Sequence, residues 1–412
     1  MVVESLTPQA GGGSIMLEVS EEDLLLVLAR SMASVDASKK GLEKQCDDLA
    51  NKGKAAEMLG ELVKGMPAWL DGAPASDAES GACILAHAIA KLPPGKAADD
   101  LVGKLCAAIS SAKSPDLALG VFMQTFNAFA PQSKARLTTL LALLRLATSR
   151  GRQPSVVSLV RGKVDAIVKD FPGLDPEESR TLILALADVF PSGKECFAIL
   201  SKYLVSFSQA EADKVAPSHP HAAAVAKRAL KELFLAPDLF NLDTFACPAV
   251  RALGAKHKAF KPLYALVEVM SAPGSQVARA SKLVGKGGAA HSALADIGCS
   301  EAVCMDKVRL LALASICEQA IASPSGSGDV SYAALVDALG VPATDVETWL
   351  IKAIGLKVIE GKMDQMKETF HVQRTTHKIF GAEEWVRLRH SMGDLETKVS
   401  AVCAKLEASA SA

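Results

Sequence analysis

The feature that most constrains the fold is a change in hydrophobic periodicity between Ser331 and Trp385. Before it, apolar residues recur at every third or fourth position, which is the spacing of amphipathic helices. After Ser331 the pattern predicts two short helices, then two alternating segments at Lys357–Glu360 and Phe370–Arg374, then a long helix from Ala382. Helix, helix, strand, turn, strand and helix in this order predict a winged helix.

Local signals set the expected bounds of the two short helices. Ser331 is predicted to cap the first helix, which ends near Gly340. Residues 344–347 read Thr-Asp-Val-Glu, the pattern of a capping box, and are predicted to open the second helix. Gly355 supplies the end of that helix.

Helix start and stop signals also recur along the region before the winged helix. Ser114-Pro115 and Asp175-Pro176 place a capping residue before a proline, whose missing amide costs nothing at the first helical position. Prolines at 93, 94 and 191 end helices, because proline cannot continue the helical ladder. Short two-faced helices bury their apolar faces by stacking as hairpins. We therefore predict a mostly α fold, with a degenerate solenoid of helical hairpins before the winged helix.

Four regions are predicted along the 412 residues. Residues 1–19 form a Gly-rich mobile tail, 20–322 the solenoid, 329–381 the winged helix, and 382–412 a C-terminal helix and tail. The Gly- and Ser-rich run at 323–328 is the predicted linker. Hydrophobic residues make up 50% of the chain and aromatic ones only 5%, a composition that favours helix packing over a β-sandwich.

The charge balance argues against nucleic acid as a direct partner. The formal net charge is −1 and the pI is about 6.7, so no long-range field attracts phosphate. The wing region has five cations, Lys357, Lys362, Lys367, Arg374 and Lys378. Three acids offset them, Glu360, Asp364 and Glu368. Direct nucleic-acid binding by this module is therefore not expected.

The cysteines and the apolar runs indicate a compartment. The chain has 9 cysteines, an odd number without a Cys-x-x-Cys pair, which indicates free, mostly buried thiols in a reducing environment. The first residues lack the pattern of a secretory signal, and no uncharged apolar run has the length of a membrane span. We expect a cytoplasmic protein with no membrane association.

The sequence patterns that could indicate a catalytic or metal site are all incomplete. Cys83 and His87 lie four positions apart, a spacing used by metal ligands and by nucleophile–base pairs, but their neighbours are apolar and no further ligand has matching spacing. Residues 285–288 resemble part of a phosphate loop, without its full spacing or a preceding strand. His377 is predicted to bond the backbone at a strand end. We predict a non-catalytic chain that uses no cofactor and no metal.

Two features of the terminal module indicate protein partners. A two-stranded sheet has free edges that can pair with a neighbouring strand. A winged-helix core needs only the first part of its last helix, so the rest of that helix is expected to pack on another chain. The predicted subunit interface consists of Val358, Glu360, Phe370, Val372, Arg374, His377, Trp385, Leu388, Leu395, Val399, Val402 and Leu406.

The module also carries a family signature, in Asp345–Glu347, Ile351–Ala353, Lys362–Gln365, Arg374–Gly381 and Trp385. These residues resemble, in kind and order, those of the PCI domain. Subunits of the proteasome lid, the constitutive photomorphogenesis (COP) signalosome and eukaryotic translation initiation factor 3 share this domain. The run Arg374–Gly381 is similar to the M-subunit family of initiation factor 3, and a subunit of the signalosome or the lid is the alternative. The linker at 323–328 is longer and looser than the family pattern.

The resemblance implies a non-catalytic scaffold subunit. Family members join other PCI and MPN subunits through winged-helix edges and a bundle of C-terminal helices. The resemblance further implies that the assembled factor binds the small ribosomal subunit and supports recruitment of initiator tRNA and mRNA. This chain would then meet the ribosome through the complex.

Overall fold

The computed structural model describes residues 21–36, 39, 41–212, 220–322 and 328–410. They form a mostly helical protein with one small sheet near the carboxyl end, which confirms the predicted fold class. The predicted mobile tail and residues 323–327 of the predicted linker lie outside the described residues. The chain divides into two compact units, 1–174 and 175–412.

The first unit is entirely helical in its described part. Its helices are α1 (Glu21–Val35), α2 (Leu42–Asn51), α3 (Ala55–Gly72), α4 (Ala75–Ala90), α5 (Lys96–Ser110), α6 (Pro115–Ala128), α7 (Lys134–Ser149), α8 (Gln153–Val160) and α9 (Val164–Lys169). From α3 to α7, helices pack on near neighbours along the chain, so that α3 contacts α5 and α4 contacts α6. This is the stacking expected of helical hairpins.

The start of α6 follows the predicted signal, and α7 begins with a serine cap of the same kind. The Ser114 hydroxyl accepts a hydrogen bond from the Leu117 amide at 3.3 Å, and Ser133 accepts from the Arg136 amide at 3.2 Å. Each bond satisfies an amide that has no partner inside the helix. Trp69 anchors the core of this unit, with its ring buried and its Nε1 donating to Ser31 Oγ at 3.1 Å.

The second unit begins with further helices and ends in the winged helix. Its first helices are α10 (Pro176–Val189), α11 (Lys194–Val205), α12 (Gln209–Ala212), α13 (Pro220–Leu235), α14 (Pro248–Lys256), α15 (Lys261–Ser271), α16 (Val277–Val284), α17 (His291–Asp296) and α18 (Glu301–Ala322). A 3-10 turn at Asp243–Ala246 precedes α14. The terminal elements are β1 (Asp329–Ser331), α19 (Tyr332–Leu339), α20 (Val346–Gly355), β2 (Ile359–Asp364), β3 (Thr369–Thr375) and α21 (Ala382–Ala410).

The sheet has three antiparallel strands in the order β1-β3-β2. Val330 of β1 and Met363 of β2 both lie opposite Phe370 of β3. The prediction of a two-stranded sheet is therefore wrong, because Asp329–Ser331 adds a strand on the far side of β3. That strand is three residues long with a single buried residue, Val330, too short for its alternation to show in the sequence.

The central position of β3 also corrects the expected free edge. Phe370 and Val372 were assigned to an open edge, but β3 is paired on both sides and the Val372 amide donates to the Gly328 carbonyl at 2.8 Å. Both side chains are buried. Within the described residues, β1 and β2 form the edges of the sheet.

The helix signals of the module are partly confirmed. The Ser331 hydroxyl accepts from the Ala334 amide at 3.3 Å, and α19 ends at Gly340, whose φ of 61° is left-handed. The predicted capping box is wrong: the Thr344 hydroxyl lies 3.2 Å from the Asp345 carboxylate. The Glu347 carboxylate instead accepts from Tyr332 Oη at 3.3 Å and from the Gln365 side-chain amide at 2.9 Å. The carboxylate that the capping box requires therefore binds Tyr332 and Gln365, which are distant in the chain, and does not bind the helix start.

We expect Val372→Pro to destabilise the second unit. Proline removes the amide that bonds the buried Gly328 carbonyl, and an unpaired buried group costs about 1–3 kcal/mol, in addition to the disruption of a central strand. Val372→Thr keeps the amide and the branched shape, so its loss of stability should be smaller. Urea denaturation of both variants measures the difference, and equal stability of the proline variant and wild type would contradict the internal position of β3.

Candidate subunit interface

The segment between β3 and α21, residues 376–381, is fixed to the helical part of its own unit. The Lys378 carbonyl accepts from the Leu242 amide at 2.7 Å. The Phe380 amide donates to the Asp243 carboxylate at 2.7 Å. Both bonds run to residues at the 3-10 turn before α14. We call residues 376–381 the anchor segment, because α21 begins directly after it.

The Lys378 side chain forms the deepest contact of the anchor segment. Its ammonium donates to the Met270 carbonyl at 3.3 Å and to the Ala272 carbonyl at 3.1 Å, at the carboxyl end of α15. That end of a helix carries partial negative charge and unpaired carbonyls. Burial lowers the pKa of Lys378 to about 8. Lys378 was counted among the cations of the wing region, and the structure shows that its side chain points inward and caps a helix.

Lys307 makes an equivalent contact elsewhere in the unit. Its ammonium lies 2.6 Å from the Ala236 carbonyl and 3.3 Å from the Pro237 carbonyl, just beyond α13. It also lies 4.1 Å from the centroid of the Phe240 ring, and burial lowers its pKa to about 8. No role for this lysine was predicted from the sequence. Its position between Met305 and Val308, on an apolar helix face, was the sequence signal that could have predicted its burial.

His377 and two aromatic rings connect the wing to α21. His377 Nδ1 lies 2.8 Å from the Glu318 carboxylate of α18, so the prediction that this ring bonds the backbone is wrong. The His377 ring packs edge-on against Phe380, and Phe380 packs edge-on against Trp385, with centroids 5.7 and 4.9 Å apart. Arg387 of α21 also approaches Glu318, at 3.8 Å. One carboxylate therefore contacts both the wing and the first turns of α21.

Helix α21 exposes a continuous apolar stripe. Its 29 residues carry apolar side chains in a strict repeat of three and four, Trp385, Leu388, Met392, Leu395, Val399, Val402 and Leu406. All are exposed, from 41% for Leu388 to 63% for Met392. A strict repeat of this kind is the contact line of a coiled coil. We call these seven residues the α21 seam.

The structure places the predicted interface residues in four different surroundings. Val358, Phe370 and Val372 are buried in the winged helix, so their side chains are core. Glu360 and Arg374 are exposed and face each other across β2 and β3 at 3.5 Å. His377 lies in the anchor segment, just before the amino-terminal end of α21. Trp385, Leu388, Leu395, Val399, Val402 and Leu406 belong to the α21 seam. Their role in a contact stays a prediction.

Met392 is the seam residue that the sequence analysis missed. It occupies the position between Leu388 and Leu395 where the repeat requires an apolar side chain. The spacing of three and four along the helix was sufficient to find it.

The other candidate sites have ordinary structural surroundings. Cys83 is half-buried and His87 is exposed. Residues 285–288 form a turn between α16 and α17, in which the Gly288 amide donates to the Gly285 carbonyl at 2.8 Å. In the part of the chain that the structure describes, no three His, Cys, Asp or Glu side chains are grouped to hold a metal.

None of the described helices combines the length and apolarity needed to cross a membrane.

The thiols are free and mostly buried, as predicted. Burial raises the pKa of Cys106 to about 11 and that of Cys317 to about 12. A thiol that stays protonated at neutral pH is a poor nucleophile. These cysteines therefore behave as small apolar core residues.

Comparison with known proteins identifies the module. Residues 293–374 match the family model described as "PCI domain". The chain carries a PCI domain. The match covers α18, the three strands and the two short helices of the winged helix, and it ends at Arg374, two residues before the anchor segment.

Three proteins similar to this chain over most of its length carry the name eukaryotic translation initiation factor 3 subunit M. The protein from Aspergillus oryzae is 28% identical, with 84% of this chain and 73% of that protein covered. The one from Phaeosphaeria nodorum is 27% identical, covering 90% and 83%. The one from Emericella nidulans is 27% identical, covering 84% and 76%. The predicted resemblance to the M-subunit family is confirmed.

Replacing Lys378 should change how stability depends on pH. The pKa of Lys378 is about 8 in the folded chain and 10.5 for an ordinary lysine, so the unfolded state binds more protons between those pH values. The contribution of Lys378 to stability therefore rises with pH across this window. Relative to Lys378→Met, wild type should gain about 2 kcal/mol of unfolding free energy between pH 7 and pH 10.

Urea denaturation at pH 7, 8.5 and 10 measures this difference, with the exposed Lys367→Met as the matched control. The control removes an exposed lysine that caps no helix, so the two variants differ in whether the ammonium they remove is buried. A constant difference for Lys378→Met would contradict a buried ammonium at the end of α15.

Proposed function

We propose that this PCI-domain chain is a non-catalytic scaffold subunit of eukaryotic translation initiation factor 3. In this role it supports assembly of the factor and its binding to the small ribosomal subunit during initiation, in the cytoplasm. Similarity to M subunits over 84% of the chain supports the assignment to this factor. The partners would be other PCI and MPN subunits, with the ribosome met through the complex.

The observation that carries the scaffold role is the exposed α21 seam. Seven large or medium apolar side chains in one line are costly to leave in water, since burying a single Val, Leu or Met side chain stabilises by about 1.5–3 kcal/mol. The seam continues well past the residues that touch the winged helix. An exposed line of this length marks a surface for another protein.

The anchor segment supports the same role by fixing the position of the seam. Lys378, Phe380 and His377 tie the start of α21 to α15, Asp243 and α18 respectively. A helix held at its root presents its apolar line in one direction, which reduces the ordering cost of binding. The sheet edges at β1 and β2 offer a second mode of contact, by pairing with a neighbour's strand.

Substitutions on the two faces of α21 test the proposal. Leu395→Asp with Val402→Asp places two charges on the seam, whereas Thr397→Asp with Ala404→Asp places them on the outer face of the same turns. A buried charge without a partner is costly, so affinity purification of the seam variant should recover at least tenfold fewer initiation-factor subunits than wild type. The outer-face variant should recover the wild-type amount.

Circular dichroism controls for folding, since the substituted side chains lie on an exposed helix and both variants should keep wild-type helix content. Wild-type recovery by the seam variant would contradict the role of the seam. Recovery of signalosome or proteasome-lid subunits by the wild-type chain, in place of initiation-factor subunits, would contradict the assignment to this factor.

A further inference from the structure

The polar residues beside the α21 seam form two distinct rows. One row consists of Glu384, Ser391, Lys398 and Lys405, and the other of Arg389, Glu396 and Cys403. In a repeat of seven, these are the positions on either side of the apolar line, where charged pairs set partner choice and direction. Helices at the centre of a larger bundle also carry apolar residues at one of these positions. The polar rows therefore fit a seam that pairs with a single helix.

We propose that, in the free chain, the helix that covers the α21 seam is α21 of a second copy, running antiparallel. This proposal rests on one part of the proposed function, that the seam is a contact for another protein. It adds which helix covers the seam before the chain joins the factor. The seam is complementary to itself in apolar size and in charge, and an apolar groove lies where its two ends would meet.

Antiparallel pairing with Trp385 opposite Val402 of the second copy matches the apolar layers. The following layers then set Leu388 opposite Val399 and Met392 opposite Leu395, and the two-fold symmetry repeats each layer. The largest side chain of the seam faces one of the smallest in the outer layer, and the other two layers join side chains of closer size. Six of the seven seam residues pair in this way, and Leu406 lies beyond the last layer, opposite Gly381. Pairing large with small side chains is what close packing requires.

The same register pairs opposite charges along both rows. Antiparallel helices bring each row against its own equivalent, so Arg389 meets Glu396 of the second copy, and Glu384 meets Lys405. Symmetry makes each pair occur twice. The one remaining contact in these rows sets Ser391 opposite Lys398, without repulsion.

Neighbouring registers and the parallel arrangement are less favourable. A shift of one heptad in one direction sets Glu396 against Glu396 and Lys398 against Lys398. A shift in the other direction sets Arg389 against Arg389 and keeps only one kind of opposite-charge pair, Glu384 with Lys398, where the selected register has two. Like charges facing each other destabilise a helix pair. Parallel pairing joins only Glu384 with Arg389, and it leaves Lys398 opposite the neutral Cys403. Charge therefore selects both direction and register.

The ends of the two helices also meet in this register. The carboxyl end of the second α21 reaches the first turn of the first α21, near His377. A groove of about 680 Å³ lies there, in which Arg374 and Arg387 are balanced by the carboxylates of Glu318 and Glu384. The groove is also lined by the apolar Ile321, Phe380, Val386 and Leu388, which can pack against the apolar end of the second seam.

A charge-exchange cycle on the full chain tests this pairing by sedimentation velocity from 1 to 100 μM. Wild type should form dimers in this range. Arg389→Glu and Glu396→Arg alone should each weaken the dimer at least tenfold, because like charges then face each other, and the two together should restore it. Thr397→Glu, on the outer face, should leave the dimer unchanged.

Two results would overturn the inference. One is a wild-type chain that stays monomeric throughout the concentration range. The other is a double variant that dimerises no better than the single variants, which is the result expected of parallel pairing. The proposed function is tested separately by recovery of initiation-factor subunits. A monomeric chain that still recovers them through the seam would remove only this inference, and a dimeric chain that recovers none would remove the proposed function.

Discussion

The contact between the Lys378 ammonium and the carboxyl end of α15 holds the terminal module in place. Around it, backbone bonds to Leu242 and Asp243 fix the segment that follows the wing. Without these contacts, α21 would leave the winged helix through six residues with no regular structure. With them, the exposed seam is part of a defined surface. Burial costs the ammonium its solvation, and the carbonyls of α15 offset part of that cost by gaining a charged donor. The remainder appears as the lowered pKa of Lys378.

The elements governed by local chemistry could be predicted from the sequence. Ser331 and Gly340 bound α19 as expected, because a hydroxyl cap and a left-handed glycine act within one turn. The long terminal helix and most of its seam followed from spacing alone. For these features the residues that decide the structure are close together in the chain.

The features that were missed or wrong depend on distant residues. Strand β1 is stabilised by pairing with residues about forty positions later. Glu347 has the position of a capping residue, but Tyr332 and Gln365 bind its carboxylate. Lys378 looks like a surface cation until the end of α15 is placed beside it. In each case a tertiary contact outweighs the local preference, and sequence spacing carries no record of that contact.

The order of strands has a consequence for how this module can join a larger sheet. Because β3 is central, a neighbour can add a strand only beside β1 or β2. The first is three residues long and the second is six, so the two sides offer very different numbers of backbone bonds. The β2 edge can form more backbone hydrogen bonds with a neighbour than the β1 edge can. Modules joined in a row by strand pairing would therefore have two unlike ends.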